Sequence, residues 1–138
     1  MDGKHFYGMT FDWNHKDGYV DVSMPNYMEQ ALARLQHQPP SQPQYSPHEC
    51  APIINTKPGT QQYTVNDNSA FVSKQDTHWV QSLVGTFLYY GRAIDGTIHP
   101  VLHEIGTQQA HPTINTMKKC KRLLDYLHTC KNTAIRYH

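Results

Sequence analysis

The sequence predicts a mixed α+β fold with an N-terminal β-hairpin and helix, a proline-rich linker, and a three-helix C-terminal unit. Aromatic residues and an Asp-Gly turn mark the hairpin, prolines mark the linker, and apolar residues at helical spacing mark the C-terminal half. Hydrophobic residues make up 38% of the 138 residues, which is enough for one modest core.

Two short strands are expected near the N-terminus. Residues 5–11 are rich in aromatic side chains, which favours a strand, and Asp17-Gly18 is a strong hairpin turn. Residues 19–22 then return as the second strand. Ser23 is a suitable N-cap for the helix that follows, and Pro25 is tolerated in its first turn. Apolar residues at helical spacing continue this helix to about residue 36.

The linker is expected over residues 37–74. Its first two thirds contain six prolines, which exclude regular helix and central strand. An extended, polyproline-like linker is therefore expected, in which Ile53-Ile54 offers a docking point on a neighbouring surface, and a flexible linker without a docked position is the alternative interpretation. Because proline-rich segments bind aromatic grooves, an alternative function is a small helical protein-interaction module with a proline-rich ligand segment.

Three helices are predicted in the C-terminal unit, residues 75–132. The first is expected to begin at Asp76 or Thr77 and to end at Asp95-Gly96. The second is expected over residues 98–109. The third is expected to begin at Thr113 or Asn115 and to end at Asn132. Trp79, Phe87 and Leu88 are expected in the core. Residues 133–138 look like the start of a strand whose pairing partner lies beyond His138.

Bulk properties favour an intracellular chain. The net charge of +1 gives no strong attraction to polyanions. Cys50, Cys120 and Cys130 form an odd set without a C-x-x-C pair, which implies no disulfide framework. The N-terminus lacks the apolar segment of a signal peptide, and no apolar run approaches the length of a membrane span. We therefore expect a cytoplasmic or nuclear location and no membrane partner.

One segment imitates a polymerase catalytic box. Tyr19-Val20-Asp21-Val22 resembles the Tyr-x-Asp-Asp pattern, but the second aspartate is replaced by Val22. Two-metal phosphoryl transfer needs carboxylates that converge on both cations. We therefore expect Asp21 to be a solvent-facing strand residue and predict no catalytic residue in this chain.

A third interpretation is a zinc-binding domain. His99 and His103 are four residues apart, which places both imidazoles on one face of a helix. The further candidate ligands are Glu104, His111, Cys120 and Cys130. The glutamate follows the second histidine, and the cysteines are not paired as C-x-x-C, so surface histidines are the favoured interpretation.

The third C-terminal helix carries the concentrated basic patch. Lys118, Lys119, Lys121 and Arg122 lie opposite an apolar stripe, as phosphate contacts along a duplex require. Arg92, with Tyr89 and Tyr90, is expected to add phosphate contact or stacking. The simpler interpretation is a solvated face that keeps the helix soluble.

The order of these motifs resembles copia-type LTR retrotransposon Pol polyproteins, in the reverse transcriptase segment between the catalytic hairpin and the RNase H domain. The matching stretches cover nearly the whole chain, and the proline-rich linker matches least. They are His5-Phe6-Tyr7-Gly8-Met9-Thr10-Phe11, Val22-Ser23-Met24-Pro25-Asn26-Tyr27, the stretch from Trp79 through Val84-Gly85-Thr86-Phe87-Leu88-Tyr89-Tyr90 to Arg92, and Lys118-Lys119-Cys120-Lys121-Arg122-Leu123-Leu124-Asp125-Tyr126-Leu127. Many relatives carry Thr-Arg-Pro-Asp where this chain has Ala93-Ile94-Asp95-Gly96.

The resemblance implies a non-catalytic fragment of an RNA-directed DNA polymerase. It implies a palm-edge hairpin and thumb-like helix (1–36), a helical thumb and connection unit (75–132), and a strand leading toward RNase H (133–138). The family's Mg²⁺-binding aspartates would lie outside this chain, so we expect no cofactor here and no polymerase activity from the isolated chain. The implied partners are an RNA–DNA hybrid, bound weakly, and the rest of the Pol polyprotein.

Overall fold

The computed structural model describes residues 5–48 and 68–138 and has a mixed α+β fold, as predicted. Within these ranges a four-stranded antiparallel sheet of order β1-β2-β3-β4 packs with four α-helices. The strands are β1 (His5–Phe6), β2 (Met9–Asn14), β3 (Tyr19–Ser23) and β4 (Ala134–Tyr137). The helices are α1 (Pro25–Arg34), α2 (Lys74–Ala93), α3 (His99–Gln108) and α4 (Ile114–Thr129), and a 3₁₀ turn (Gly96–Ile98) precedes α3.

A tight turn divides the single strand predicted over residues 5–11. Tyr7 and Gly8 have φ angles of 50° and 80°, and Phe6 pairs with Met9 across them. Two consecutive positive φ angles are the geometry of the two-residue turns that join twisted antiparallel strands. The prediction was wrong because the aromatic run concealed this turn, whose sequence signal is Gly8.

The second hairpin is confirmed, and a side chain stabilises it. The Asn14 Oδ1 accepts hydrogen bonds from the backbone N–H groups of Lys16 and Asp17, each at 3.1 Å. Gly18 takes a φ of 70°, which glycine adopts without steric cost. Asn14 therefore shapes the turn together with the Asp17-Gly18 pair.

The start of α1 differs from the prediction. Ser23 is the last residue of β3, where it pairs with Thr10, and Met24 is the N-cap. Met24 provides no side-chain hydrogen bond, and its side chain is buried in the core. Pro25 occupies the first helical turn, as expected. Strand pairing and burial therefore outweigh the capping preference of Ser23.

The partner of β4 lies within the chain and not beyond His138. Strand β4 pairs antiparallel with β3, so that Ile135 is opposite Val22 and Arg136 is opposite Asp21. Two guanidinium nitrogens of Arg136 donate to the two carboxylate oxygens of Asp21, each at 2.8 Å. The expectation was wrong because this pairing joins distant segments, which local patterns do not reveal.

The helix caps were predicted in part. Ser73 caps α2 by accepting the backbone N–H of Asp76, so the helix begins before the expected caps Asp76 and Thr77. Thr113 caps α4 as predicted and forms a reciprocal capping box with Thr116. The end of α4 at Thr129 comes earlier than the predicted Asn132.

The beginning of the proline-rich linker is held against α4. The described residues 38–48 contain no helix or strand. His37 Nε2 lies 2.8 Å from Asp125 Oδ1, and the backbone N–H of Gln44 donates to Thr129 Oγ1 at 3.0 Å. The predicted docking point Ile53-Ile54 lies outside the described residues.

One buried cluster joins the N-terminal and C-terminal segments. Its members come from β3, α1, α2, the 3₁₀ turn, α3 and α4. The Trp79 indole N–H donates to the Leu35 carbonyl at 3.0 Å, and the Tyr27 hydroxyl donates to the Thr86 carbonyl at 2.8 Å. The described residues of the N-terminal segment and of the C-terminal unit therefore share one core.

We predict opposite stability effects for alanine at two glycines of α2. A Cβ at Gly91 would lie 3.1 Å from Ile98 Cγ1 and 3.2 Å from His99 Cε1, whereas a Cβ at Gly85 would meet no described atom within 4 Å apart from its chain neighbours and the backbone of its own helix. Gly91→Ala should lower the free energy of unfolding by about 1 kcal/mol, because overpacking exceeds the gain in helix propensity. Gly85→Ala should raise it by about 1 kcal/mol. Urea unfolding measures both, and equal stabilisation by the two substitutions would contradict the packing at Gly91.

Candidate nucleic-acid interface

Helix α4 separates an apolar face from a cationic face. Its buried residues are Thr116, Cys120, Leu123, Leu124 and Leu127. Lys118 and Lys121 are exposed on the opposite side. This arrangement follows from the 3.6-residue period, which places the two lysines away from the leucines. The cationic face of α4 consists of Lys118, Lys119, Lys121 and Arg122.

Two of these cations are less free than the sequence suggests. Lys119 forms an ion pair with Glu104 of α3, and its side chain is only one-third exposed. Arg122 is half-buried, and its Nε is buried without a hydrogen-bond partner among the described residues. The exposed positive charge of the face is therefore concentrated on Lys118 and Lys121.

Asp125 interrupts the cationic face, and its carboxylate is in contact with the linker. It lies one helical turn from Lys121 and close to Arg122 in the same stripe. Its carboxylate contacts His37, whose side chain is only 5% exposed. The His128 ring is also near, with its centroid 5.9 Å from that of His37. The carboxylate is therefore directed toward the linker, and the face keeps a net positive charge.

Arg92 lies on a different surface from the α4 cations. It is exposed on the side of α2 opposite the buried Leu83, Phe87 and Tyr90. Helices α2 and α4 bury their apolar faces in the same core, so their outward faces point in different directions. The five predicted binding residues therefore form one α4 face and one separate position.

The tyrosines of α2 have unequal roles. Tyr90 is 1% exposed and belongs to the core, where burial raises the pKa of its hydroxyl. It is therefore unavailable for the stacking expected of it. Tyr89 is partly exposed, but its hydroxyl donates to the Tyr7 carbonyl at 2.8 Å and its ring meets Tyr27 edge-on. Tyr89 thus fixes the β1–β2 turn against α2.

The predicted core residues of α2 also differ in burial. Phe87 is fully buried, and Trp79 is half-buried against the core. Leu88, in contrast, is 37% exposed and lines a groove of about 510 Å³ between α2 and α3. The core expectation was wrong for Leu88, because this residue lies on the outward stripe of the helix.

The candidate zinc ligands are dispersed. His99 and His103 line the groove between α2 and α3, as their helical spacing predicts. Glu104 is engaged by Lys119, and His111 contacts the Phe71 ring. Within residues 5–48 and 68–138, no three His, Cys, Asp or Glu side chains form a group that could hold a metal ion.

The imitation of the catalytic box has a structural role. Asp21 lies on the outer face of the sheet, and the Arg136 guanidinium holds the pKa of its carboxyl below the ordinary value of 3.8. The same guanidinium lies 3.9 Å from the centre of the Tyr19 ring. Asp21 therefore connects β3 to β4.

Comparison with protein-family models, curated proteins and solved structures gave no match to this chain. The fold and the charge distribution therefore supply the observations on which a function is proposed. None of the helices in the described ranges is long and apolar enough to cross a membrane.

Cys120 should make stability sensitive to alkaline pH. Burial raises the pKa of its thiol from 9.0 to about 12. Since the pKa of the thiol is higher in the folded state than in the unfolded state, burial of the neutral thiol contributes its full stability below about pH 9, and this contribution is lost as pH rises toward 12. Between about pH 9 and 11, the free energy of unfolding should fall with pH by about 1 kcal/mol per pH unit less in Cys120→Ala than in the unmodified chain. Urea unfolding of both proteins across this range measures the difference, and identical slopes would contradict the assignment.

Proposed function

We propose that this chain is a non-catalytic part of a copia-type retrotransposon reverse transcriptase that binds the backbone of an RNA–DNA hybrid. The cationic face of α4 carries the proposal, because it presents Lys118 and Lys121 to solvent on a helix fixed in the core. The order of sequence motifs described above supplies the family assignment. The contribution of the chain is binding and positioning, and the chemical step belongs to residues that the resemblance places outside it.

The size of the face supports weak, sequence-independent binding. Lys118 to Arg122 span about 6 Å along the helix axis, which limits direct contact to two or three phosphates. Lysine side chains act as flexible point charges that read no base sequence. With a net charge of only +1 for the whole chain, affinity depends on this local concentration of charge.

The outward face of α2 offers a second contact surface. Gly85 is exposed in the middle of this 20-residue helix, where glycine costs about 1 kcal/mol relative to alanine. Apart from its chain neighbours and the backbone of its own helix, no described atom lies within 4 Å of the position of its missing Cβ, so packing in the described ranges does not require glycine there. A helix without a side chain at this point permits a close approach by a nucleic-acid backbone.

Charge reversal on α4 should weaken binding to an RNA–DNA hybrid. Lys121→Glu should reduce affinity several-fold at low salt, and combining it with Lys118→Glu should reduce it about tenfold or more. In the double variant, the slope of log affinity against log salt concentration should also be smaller in magnitude by about 2, because two phosphate contacts are lost. Fluorescence anisotropy with a labelled hybrid from about 50 to about 200 mM salt measures both effects.

Lys74→Glu is the matched control for Lys121→Glu. Lys74 is also an exposed helical lysine, and a glutamate in the first turn of α2 is favourable for that helix. This control should bind the hybrid nearly as well as the unmodified chain. Equal losses in both single variants would show a general charge effect, and unchanged affinity in the double variant would favour the protein-interaction alternative.

A further inference from the structure

The apolar face of the sheet extends beyond the helices that cover it. Directly paired residues on neighbouring strands point to the same face. Trp13 is paired with Val20, and Val20 with Tyr137, so these three side chains form one row across β2, β3 and β4. In the adjacent row Val22 is buried and Phe11 packs on the core. The row with Trp13 is thus the outer end of the same face.

The two aromatic residues of this row are largely uncovered. Trp13 is 55% exposed and Tyr137 is 54% exposed, whereas Val20 between them is half-buried. Together with His15 and His138 they line a pocket of about 330 Å³ at this end of the sheet, here called the aromatic pocket. Aromatic residues exposed on a sheet provide stacking surfaces for unpaired bases.

The spacing of the two aromatic residues suits one planar ring. They are two strands apart, which separates their backbones by about 10 Å. A ring placed between them needs about 3.5 Å to each aromatic neighbour. Val20 lies between them in the row and gives the pocket an apolar floor. The pocket volume is sufficient for a nucleobase.

The indole of Trp13 already takes part in one parallel ring contact. The His15 ring lies nearly parallel to it, with an angle of 6° between the planes and 6.0 Å between the centroids. The Tyr19 ring, by comparison, is covered by the Arg136 guanidinium. Trp13 and Tyr137 are the large, exposed rings of this pocket, and they are the stacking partners in the proposal below.

The charges beside the pocket suit an attached phosphate. Lys16 is exposed in the turn between β2 and β3, and no ion pair engages it within the described ranges. The carboxylate of Asp17 accepts a hydrogen bond from Asn14 at 2.8 Å, and that of Asp21 is bound by Arg136. Asp12 is exposed, but it alternates with Trp13 along β2 and therefore points to the other face of the sheet. Lys16 is thus a cation beside the pocket that is available to a phosphate.

We propose that the aromatic pocket binds an unpaired base of single-stranded nucleic acid. The base stacks between Trp13 and Tyr137, and the adjoining phosphate lies near Lys16. Stacking of this kind tolerates any base, because every base has a π face. This site lies on the sheet and not on α4, so it extends the proposed function without depending on it.

Anisotropy with a labelled single-stranded oligothymidylate tests the proposal on the full chain. Trp13→Ala and Tyr137→Ala should each weaken binding about tenfold, because each removes one stacking partner. Tyr137→Phe keeps the ring and should retain the affinity of the unmodified chain. Phe71→Ala is the matched control, because Phe71 is 75% exposed but lies outside this pocket.

The outcomes separate this site from the cationic face of α4. Trp13→Ala should leave the affinity for the hybrid unchanged. For the single strand, Lys121→Glu should retain an affinity several-fold higher than that of Trp13→Ala. The proposal is overturned if the chain does not bind the oligothymidylate, if Trp13→Ala binds it normally, or if Phe71→Ala weakens it equally. If free thymidine monophosphate at the same concentration as the strand competes for the site, the pocket binds a free nucleotide equally well, and the proposal that it binds single-stranded nucleic acid is overturned.

Discussion

The antiparallel pairing of β3 with β4 is the constraint on which the remaining architecture depends. Asp21 and Arg136 are 115 positions apart in sequence, yet their side chains form a two-point ion pair. The pairing returns the chain to the N-terminal hairpin after α4. It is accompanied by a shared core, in which Met28 of α1 belongs to the same buried cluster as Leu83 of α2 and Leu124 of α4.

The same constraint determines which surfaces remain for binding. Once the leucines of α4 are buried, Lys118 and Lys121 necessarily face outward. The register of β4 places Tyr137 in the same row as Trp13, and the helices leave these two aromatic residues largely exposed. A cationic helix face and an aromatic sheet end therefore occur in one chain, and the two proposals assign them to different features of a nucleic acid, its phosphates and its unpaired bases.

Local signals predicted the parts of the structure that local forces determine. The Asp17-Gly18 hairpin, the Thr113 cap and the two faces of α4 each depend on residues close in sequence, and the structure contains all three. The partner of β4 and the burial of Tyr90 depend on distant segments, so they could not be deduced from local patterns. For the candidate site, the sequence identified the basic residues. It could not show that Glu104 pairs with Lys119, because that contact requires the packing of α3 on α4.

The pairing of β3 with β4 can be measured directly by nuclear Overhauser spectroscopy on the folded chain. Paired strands should give cross-strand contacts that place Val22 opposite Ile135 and Val20 opposite Tyr137. The amide protons of β4 should exchange more slowly than those of an unstructured terminus. Absence of these contacts, with α2, α3 and α4 still folded, would show that β4 does not close the sheet against the N-terminal hairpin.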